Sequence, residues 1–411
     1  MIQSSPKVSV IVATYNRRDY VQEAINSVLE QTYPNFEIIV VDDGSSDDTD
    51  KILSKYGTRI HYKYQKNQGE SVARNQGVAS ATGEYIAFLD DDDLWLPEKL
   101  ARQVEILDEN PDIGLVATQG FLIDQHSNLI PDRYAFPKHS TGLVELPEII
   151  LNSPIGPSSS IVRRSVLAKI GAFDPLLKYG EDWDFVIRTG VHFSIFYLNE
   201  PLVYMRAQSP DRQSNFLLNS MKAHRRYEDH MHILEKARSI LPPELTSFLD
   251  RAVARVYAEI GIHEIAIGDR DYGKTQLTKA LETDPTTWLH GTDIEMQALA
   301  YVDTLLNSCA PDVSLTFLNN LFNQCLPDTS ESLIRSAKRC YAQYFAALAF
   351  KRASEQQWDQ IRLPVLRAIW HDPKLMSNNG LISVFIASFL KSHLSRKKLE
   401  QSHFSVPESD K

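Results

Sequence analysis

The stretch that most constrains the fold is Tyr85–Pro97, which reads YIAFLDDDDLWLP. Tyr85-Ile86-Ala87-Phe88-Leu89 is a short apolar run of aromatic and branched residues, the composition of a buried strand. Four consecutive aspartates, Asp90 to Asp93, follow it, and then Leu94-Trp95-Leu96-Pro97. Pro97 fits the first turn of a helix, where its missing N–H is no loss, and Leu100, Val104 and Leu107 fall on one face of that helix. Carboxylates crowded between a strand and a helix start repel one another unless a cation sits among them. An all-oxygen cluster suits Mg²⁺ or Mn²⁺; a solvated acidic turn stays open as the plainer reading. A calcium loop fails, because counting from Asp90 puts Trp95 at the glycine position and Ala101 at the closing glutamate.

Upstream, strands and helices alternate. Val8–Ala13 (VSVIVA) is a continuous apolar run, as in a parallel strand covered on both faces. Thr14-Tyr15-Asn16-Arg17 is a polar loop, with Asp19 placed to cap the next helix. Val21, Ala24, Ile25, Val28 and Leu29 form that helix's stripe. Glu37–Val41 is a second strand, ending at Asp42-Asp43-Gly44-Ser45, and Asp47-Asp48-Thr49 opens a short helix. Ile60–Tyr64 is a weaker third strand. A helix through Val72, Ala73, Val78 and Ala79 returns to the strand at Tyr85. The pattern predicts an α/β fold, a mostly parallel sheet with helices on both faces. Ligands bind outside the carboxyl ends of such strands. Thr14–Arg17, Asp42-Asp43 and Asp90–Asp93 all lie at those ends and describe one pocket. No GxGxxG or GxxxxGK[ST] is present, which argues against dinucleotide-dehydrogenase and P-loop NTPase chemistry.

At 411 residues, 43% hydrophobic and 23% charged, the chain has room for two or three domains with real cores. A net charge of −10 argues against general nucleic-acid binding. Met1–Lys7 is polar and Val8–Ala13 too short for the apolar core of a signal peptide, and no apolar run approaches the roughly 20 residues of a membrane span. Three cysteines without metal-ligand spacing, Cys309, Cys325 and Cys340, suit a reducing compartment. A cytoplasmic location is therefore expected.

VSVIVATYNRRDYVQEAINSVLEQTYPNFEIIVVDDGSSDDT, followed by NQGESVARNQGVASATGEYIAFLDDDDLWLPEKL, resembles family 2 of the nucleotide-sugar glycosyltransferases, which have the GT-A (Rossmann-like) fold. The likeness runs from Val8 to Arg206. It implies a nucleoside held by the first loop (Thr14, Tyr15, Asn16, Arg17) and by the acids after the second strand (Asp42, Asp43). It implies Arg74 facing the nucleotide, and an Asp-x-Asp matched by Asp90-Asp91-Asp92. Asp92 would be the direct metal ligand, helped by Asp90, with Asp90 and Asp91 beside the nucleotide. On the residues alone, Tyr15 could instead cap the sheet, Asp43 cap the turn at Gly44-Ser45, and Arg74 be a solvated helix residue.

After Pro111 the pattern turns irregular. Gly114–Thr118 and Phe121–Asp124 read as two strands, Ser158–Val162 as another, and Arg163-Arg164-Ser165 as the start of a helix ending near Gly171. Gly180-Glu181-Asp182 then opens an amphipathic stretch. In the resembling family this Glu-Asp pair begins a helix below the sugar and its Asp is the general base, which maps onto Asp182 with Glu181 beside it; the plainer alternative is two acids satisfying a helix N-terminus. Members often carry a His just after the following strand, where this chain has Gln208, a phosphate hydrogen-bond donor but a poor transition-metal ligand.

From about Ser214 helical signals dominate, so the expected domains are 1–215, catalytic, and 216–411, all-α. Gly268–Pro285 resembles the second helix of a tetratricopeptide repeat, with a weaker echo from Gln357 to Pro373; stacked repeats would present a surface for a partner protein or a second copy. Leu381–Leu390, apolar nearly all round and followed by Lys391 and Arg396-Lys397-Lys398, is a terminal core helix or, alternatively, a peripheral contact with an anionic membrane. The resemblance implies a divalent-cation-dependent (Mg or Mn), inverting transferase acting on a nucleoside-diphosphate sugar, UDP-sugar favoured. The acceptor would be a glycan or lipid-linked hydroxyl, in cell-surface polysaccharide synthesis. Two alternatives stand beside it: an inactive transferase-like scaffold, and a sugar nucleotidyltransferase. The latter would want a Gly-rich first loop, and ATYNRRDY has no glycine.

Overall fold

The computed structural model describes residues 8–136, 139–153, 155–207, 220–288, 292–326, 331–389 and 391. Contacts divide the chain into two compact units, 1–213 with 224–252, and 214–223 with 253–411. Most of the helix Ser220–Arg238 thus belongs with the first unit, although strand–helix alternation stops before it. No helix of the described residues is long and apolar enough to cross a membrane.

In chain order the first unit holds β1 (Val8–Thr14), α1 (Arg18–Leu29), β2 (Phe36–Asp42), α2 (Thr49–Leu53), β3 (His61–Tyr64), α3 (Glu70–Ser80), β4 (Tyr85–Asp90), β5 (Leu94–Trp95) and α4 (Lys99–Glu109). There follow β6 (Ile113–Ile123), β7 (Leu129–Tyr134), β8 (Gly142–Leu143), α5 (Leu146–Asn152), β9 (Ser160–Arg163), α6 (Arg164–Ile170), α7 (Glu181–His192), β10 (Ser194–Arg206) and α8 (Ser220–Arg238). The sheet runs β3-β2-β1-β4-β9-β6-β10-β5, with β7 on β6 and β8 on β10. β3, β2, β1 and β4 are mutually parallel, β9 runs against both β4 and β6, and β10 is parallel to β6. This is the GT-A arrangement. β1 is buried along its length because both faces are covered. Val8, Val10 and Val12 share a core with Val21, Ile25 and Val28 of α1 and with Leu100, Val104 and Leu107 of α4. On the opposite face Ile11 meets α3, and Phe88 meets Phe173 and Phe185.

Several local expectations are corrected. Asp19 lies inside the first turn of α1 and does not cap it; the Arg18 amide donates instead to Asp47 Oδ2, 3.1 Å away on the next loop. Pro97 precedes α4, because Leu94-Trp95 pairs with β10 first and delays the helix to Lys99. The inward face of α3 is Ser71, Ala73, Arg74 and Gly77, while Val72, Val78 and Ala79 are not buried. A Cβ on Gly77 would sit 2.4 Å from Ile11 Cγ2, so glycine sets how closely α3 lies on β1. The two strands expected at Gly114–Thr118 and Phe121–Asp124 are one, β6, because Gln119-Gly120 stays extended with the Gln119 side chain accepting from the Gly120 and Phe136 amides. Ser158 lies in a 3₁₀ turn ahead of β9, a turn closed by Ser159 Oγ on Gly156 O at 2.8 Å.

The helix α9 (Thr246–Ile267) opens in the first unit and its remainder belongs to the second. There it is followed by α10 (Arg270–Thr283), α11 (Thr292–Ser308), α12 (Pro311–Asn320), α13 (Glu331–Ser354), α14 (Arg362–His371) and a last helix, 379–389. They enclose a separate core that includes Leu277, Ala298, Leu318, Leu348 and Val365. Asp269 caps α10 by accepting from the Tyr272 amide at 3.1 Å. Cβ atoms on Gly261 and Gly273 would each fall within 2.9 Å of the other's carbonyl oxygen, so α9 and α10 touch backbone to backbone there. In the last helix Leu381 is fully buried and Val384 and Phe385 pack on the same core, which makes it a core helix. Arg396-Lys397-Lys398 lie outside the described residues.

Candidate active site

The parallel strands end their apolar runs in polar residues at one edge of the sheet, and the loops that leave them interlock. Asn16 adopts a left-handed φ of 53°, uncommon outside Gly, Asn and Asp. Its Oδ1 accepts from the Ser46 amide at 2.7 Å, and its own amide donates to Ser45 Oγ at 2.9 Å. Asn16 therefore ties the loop after β1 to the loop after β2. Asp42 is consumed in the same way, accepting from the Ser45 amide at 2.8 Å and from the Tyr62 hydroxyl at 3.0 Å. Asp43 accepts from the Gln68 and Gly69 amides, both at 2.9 Å, and from Gln65 Nε2 at 2.7 Å, which orders the loop into α3.

A cavity of about 680 Å³ opens at this edge. Thr14, Tyr15, Arg17, Asp43 and all four aspartates from Asp90 to Asp93 line it, together with Glu70, Tyr20, Gln125 and Arg206. Asn16, Asp42, Arg74, Glu181 and Asp182 stand outside that lining. The Tyr15 ring is half exposed, presenting an aromatic surface at the mouth.

Two guanidinium groups manage the acidic charge. Arg17 ion-pairs with Asp92, and with Asp91 at 3.3 Å. Arg74, whose side chain is 3% exposed, reaches Asp90 at 2.6 Å and Glu181 at 2.9 Å and also pairs with Glu70, while its guanidinium lies over the Phe173 ring. It is not a solvated helix residue; it joins the strand end at Asp90 to the first turn of α7. Burial disfavours its charge, but Asp90, Glu70 and Glu181 together raise its pKa. Burial pushes Glu70 up to about 7 against the pull of Arg74, and Asp91 up to about 7 against the pull of Arg17. Asp182 is raised by burial, with the Trp183 amide on its Oδ1 at 2.8 Å pulling the other way. Glu181 is raised by burial and by Asp182 beside it. A carboxylate partly stripped of water and held above its ordinary pKa is suited to accept a proton.

Glu70 and Arg206 were not singled out by sequence. Glu70 had a legible signal, since it stands four residues before Arg74 on one helix face. Arg206 had none, because its partners are remote. Its amide donates to Asp93 Oδ1 and its Nε to Asp92 O, both at 2.9 Å, its Nη1 reaches Asp124 O at 2.9 Å, and its guanidinium lies 4.4 Å from the Tyr20 ring centroid. It locks the aspartate turn to the end of β10. Gln208 lies outside the described residues.

No three His, Cys, Asp or Glu side chains among the described residues converge on one metal position. Mg²⁺ and Mn²⁺ need fewer, since such ions are commonly held by one or two carboxylates with substrate phosphates and water. The donor set is of the kind a hard cation takes: the carboxylates of Asp90 and Asp92 stand at a strand end, and a cationic group, Arg17, pairs with Asp91 and Asp92.

A sequence model described as glycosyl transferase family 2 matches residues 9–171. An uncharacterized glycosyltransferase of Rickettsia typhi is 37% identical over 224 residues, covering 53% of this chain and 69% of that protein. TuaG of Bacillus subtilis, provisionally assigned to teichuronic acid biosynthesis, is 33% identical over 224 residues, 52% of this chain and 84% of that protein. The structure of residues 1–349 of S. aureus TarS with UDP-GlcNAc aligns at a TM-score of 0.48 and 20% identity, over 89% of this chain and 92% of that one.

Proposed function

Because this chain belongs to glycosyl transferase family 2, we propose that it moves a sugar from a nucleoside-diphosphate sugar to an acceptor hydroxyl with inversion, in the synthesis of a cell-surface polysaccharide. The observation that carries the reading is the Arg74 bridge, which holds Asp90, at the end of β4, and Glu181, next to Asp182, on one guanidinium. The polysaccharide assignment draws on the match to TuaG, most of whose length is covered. UDP-sugars are the favoured donors.

In this reading the nucleoside lies against Tyr15 and Asp43, with Thr14 and Arg17 also in the cavity lining. Asp182 takes the proton of the acceptor hydroxyl as its oxygen attacks the anomeric carbon and the bond to the diphosphate breaks. A positioned base of this kind contributes about 10²–10⁴-fold. Glu181 orients α7 through Arg74, and Arg206 keeps the aspartate turn in place. Asp92, helped by Asp90, would hold Mg²⁺ or Mn²⁺, which supplies Lewis-acid stabilisation of the departing diphosphate. The second unit, with its repeat-like helices, is read as the module that selects the acceptor or recruits a partner or a second copy.

The test is thermal stabilisation and donor hydrolysis across a panel of UDP- and GDP-sugars, with Mn²⁺ and with EDTA. The expected result is a cation-dependent rise in melting temperature with at least one donor, abolished by Asp92→Ala. Equal stabilisation in EDTA, or an unaffected variant, overturns the metal assignment; no response to any nucleotide sugar overturns the donor assignment.

A further inference from the structure

The turn that delivers Glu181 and Asp182 starts at Gly180, which sits in the left-handed region at φ 77°. Glycine is the least self-constrained residue at such a start, so the direction in which α7 leaves must be fixed by something else. α8 supplies it, from a stretch beyond the residues that the family model matches. Asp229 is 4% exposed, and its Oδ2 accepts from the Lys178 amide at 3.0 Å and the Tyr179 amide at 3.1 Å, the two amides immediately before Gly180. Arg225, one turn earlier, pairs with Asp229 Oδ1 at 2.9 Å and donates to Leu176 O at 2.7 Å. Later on the same helix Lys236 reaches Asp174 at 2.9 Å and Asp184, inside α7, at 3.0 Å. Between them, a Cβ on Gly180 would meet Ile233 Cδ1 at 3.0 Å, and the His230 ring stands edge-on to Trp183.

We propose that Asp229 is a positioning residue for the transfer step: its buried carboxylate holds the 178–179 turn and so aims the Glu181–Asp182 pair. The proposal rests on the transferase reading above. A buried carboxylate persists only when paired and hydrogen-bonded, and this one divides its bonds between Arg225 on its own helix and the backbone of a single turn. Hydrogen bonds to an ionised acceptor are about twice as strong as neutral ones, and a misplacement of about 1 Å in a reacting group can cost 10²-fold in rate. The donor-binding residues at the ends of β1, β2 and β4 make none of these contacts, so the defect should appear in kcat and spare donor KM.

The experiment uses the full-length protein and whichever UDP- or GDP-sugar it hydrolyses with Mn²⁺. Asp229→Ala is expected to lower kcat by about tenfold or more with donor KM within about twofold. It should speed hydrogen exchange over residues 178–184 while leaving β4 protected. Asp229→Asn, which keeps a weaker acceptor, should show the same pattern to a smaller degree, and it decides the matter where the alanine variant fails to fold. A kcat within twofold of wild type in the folded alanine variant overturns the proposal, as does a KM that rises in step with the fall in kcat. If wild type hydrolyses no nucleotide sugar, the transferase reading falls instead, and unchanged exchange at 178–179 separately removes the anchoring role of Asp229.

Discussion

At the scale of single residues, the site is a problem of concentrated negative charge, and Arg74 is its principal solution. Its guanidinium is buried against Asp90 and Glu181. Replacing it by Met keeps the aliphatic volume and strands those carboxylates, and breaking a buried pair from one side costs about 3 kcal/mol or more. The sign with pH follows from the raised pKa of Glu181. Its charged form is the costly one, so the loss in Arg74→Met is greatest at neutral and higher pH and shrinks as acid protonates the group. Urea denaturation at pH 5 and pH 8 measures this; a penalty independent of pH would show that Arg74 acts through packing. Asp182→Asn is expected to reduce turnover by about 10²–10⁴-fold with donor affinity unchanged by calorimetry, and turnover within tenfold of wild type would make another group the base. Thiols give a separate check on the second unit. Burial pushes Cys340 up to about 12, so at pH 8 it should resist alkylation until denaturant is added, whereas the partly buried Cys309 should react sooner.

At the scale of elements, close approach of backbones decides which helices can lie where. Gly77→Ala puts a methyl into Ile11, and overpacking of this kind costs about 1–3 kcal/mol; a denaturation midpoint equal to wild type would mean that α3 can lift off β1 freely. This glycine also marks what the sequence could and could not show. β1, β2 and β4 were legible because each is an unbroken apolar run ended by polar residues, and that alone placed Thr14, Asp43 and Asp90–Asp93 at one edge. The inner face of α3 was not, because the periodicity of Val72 and Val78 competes with an inward Arg74 and a Gly77 whose value lies in having no side chain. The sequence of β6 divides into two strand-like runs on either side of Gln119-Gly120, and only the remote Phe136 amide on Gln119 shows why that pair stays extended. The sequence offers Asp43 as the cap of the Gly44-Ser45 turn, but the structure gives that bond to Asp42, which also takes the Tyr62 hydroxyl, and leaves Asp43 on the cavity wall. The roles of Arg206 and Asp229 depend on partners from 50 to 183 residues away, a range over which local pattern carries no signal.

At the scale of the whole molecule, the change from alternating strands and helices to helices alone does not coincide with the change from one compact unit to the other. α8 looks like the first helix of an all-α half, yet from His224 on it is counted with the sheet-bearing unit, where Arg225, Asp229 and Lys236 hold the turn before α7. Where the chain is cut should therefore matter in a graded way. A chain ending after residue 215 keeps every cavity-lining residue from Thr14 to Arg206 but loses the α8 clamp. A chain ending after residue 241 keeps both. The expected outcome is that both truncated proteins, if folded by circular dichroism, bind nucleotide with Mn²⁺ as the full-length chain does. Only the longer one should retain donor hydrolysis within about tenfold, since misplacing a reacting group by about 1 Å can cost 10²-fold. Calorimetry and a donor-hydrolysis assay on the three proteins make the comparison. Loss of nucleotide binding in the 241-residue protein would mean that residues beyond 241 are needed to complete the donor site. Equal hydrolysis by the two truncated proteins would mean that α8 is only a connector, and that α7 is aimed by the sheet alone.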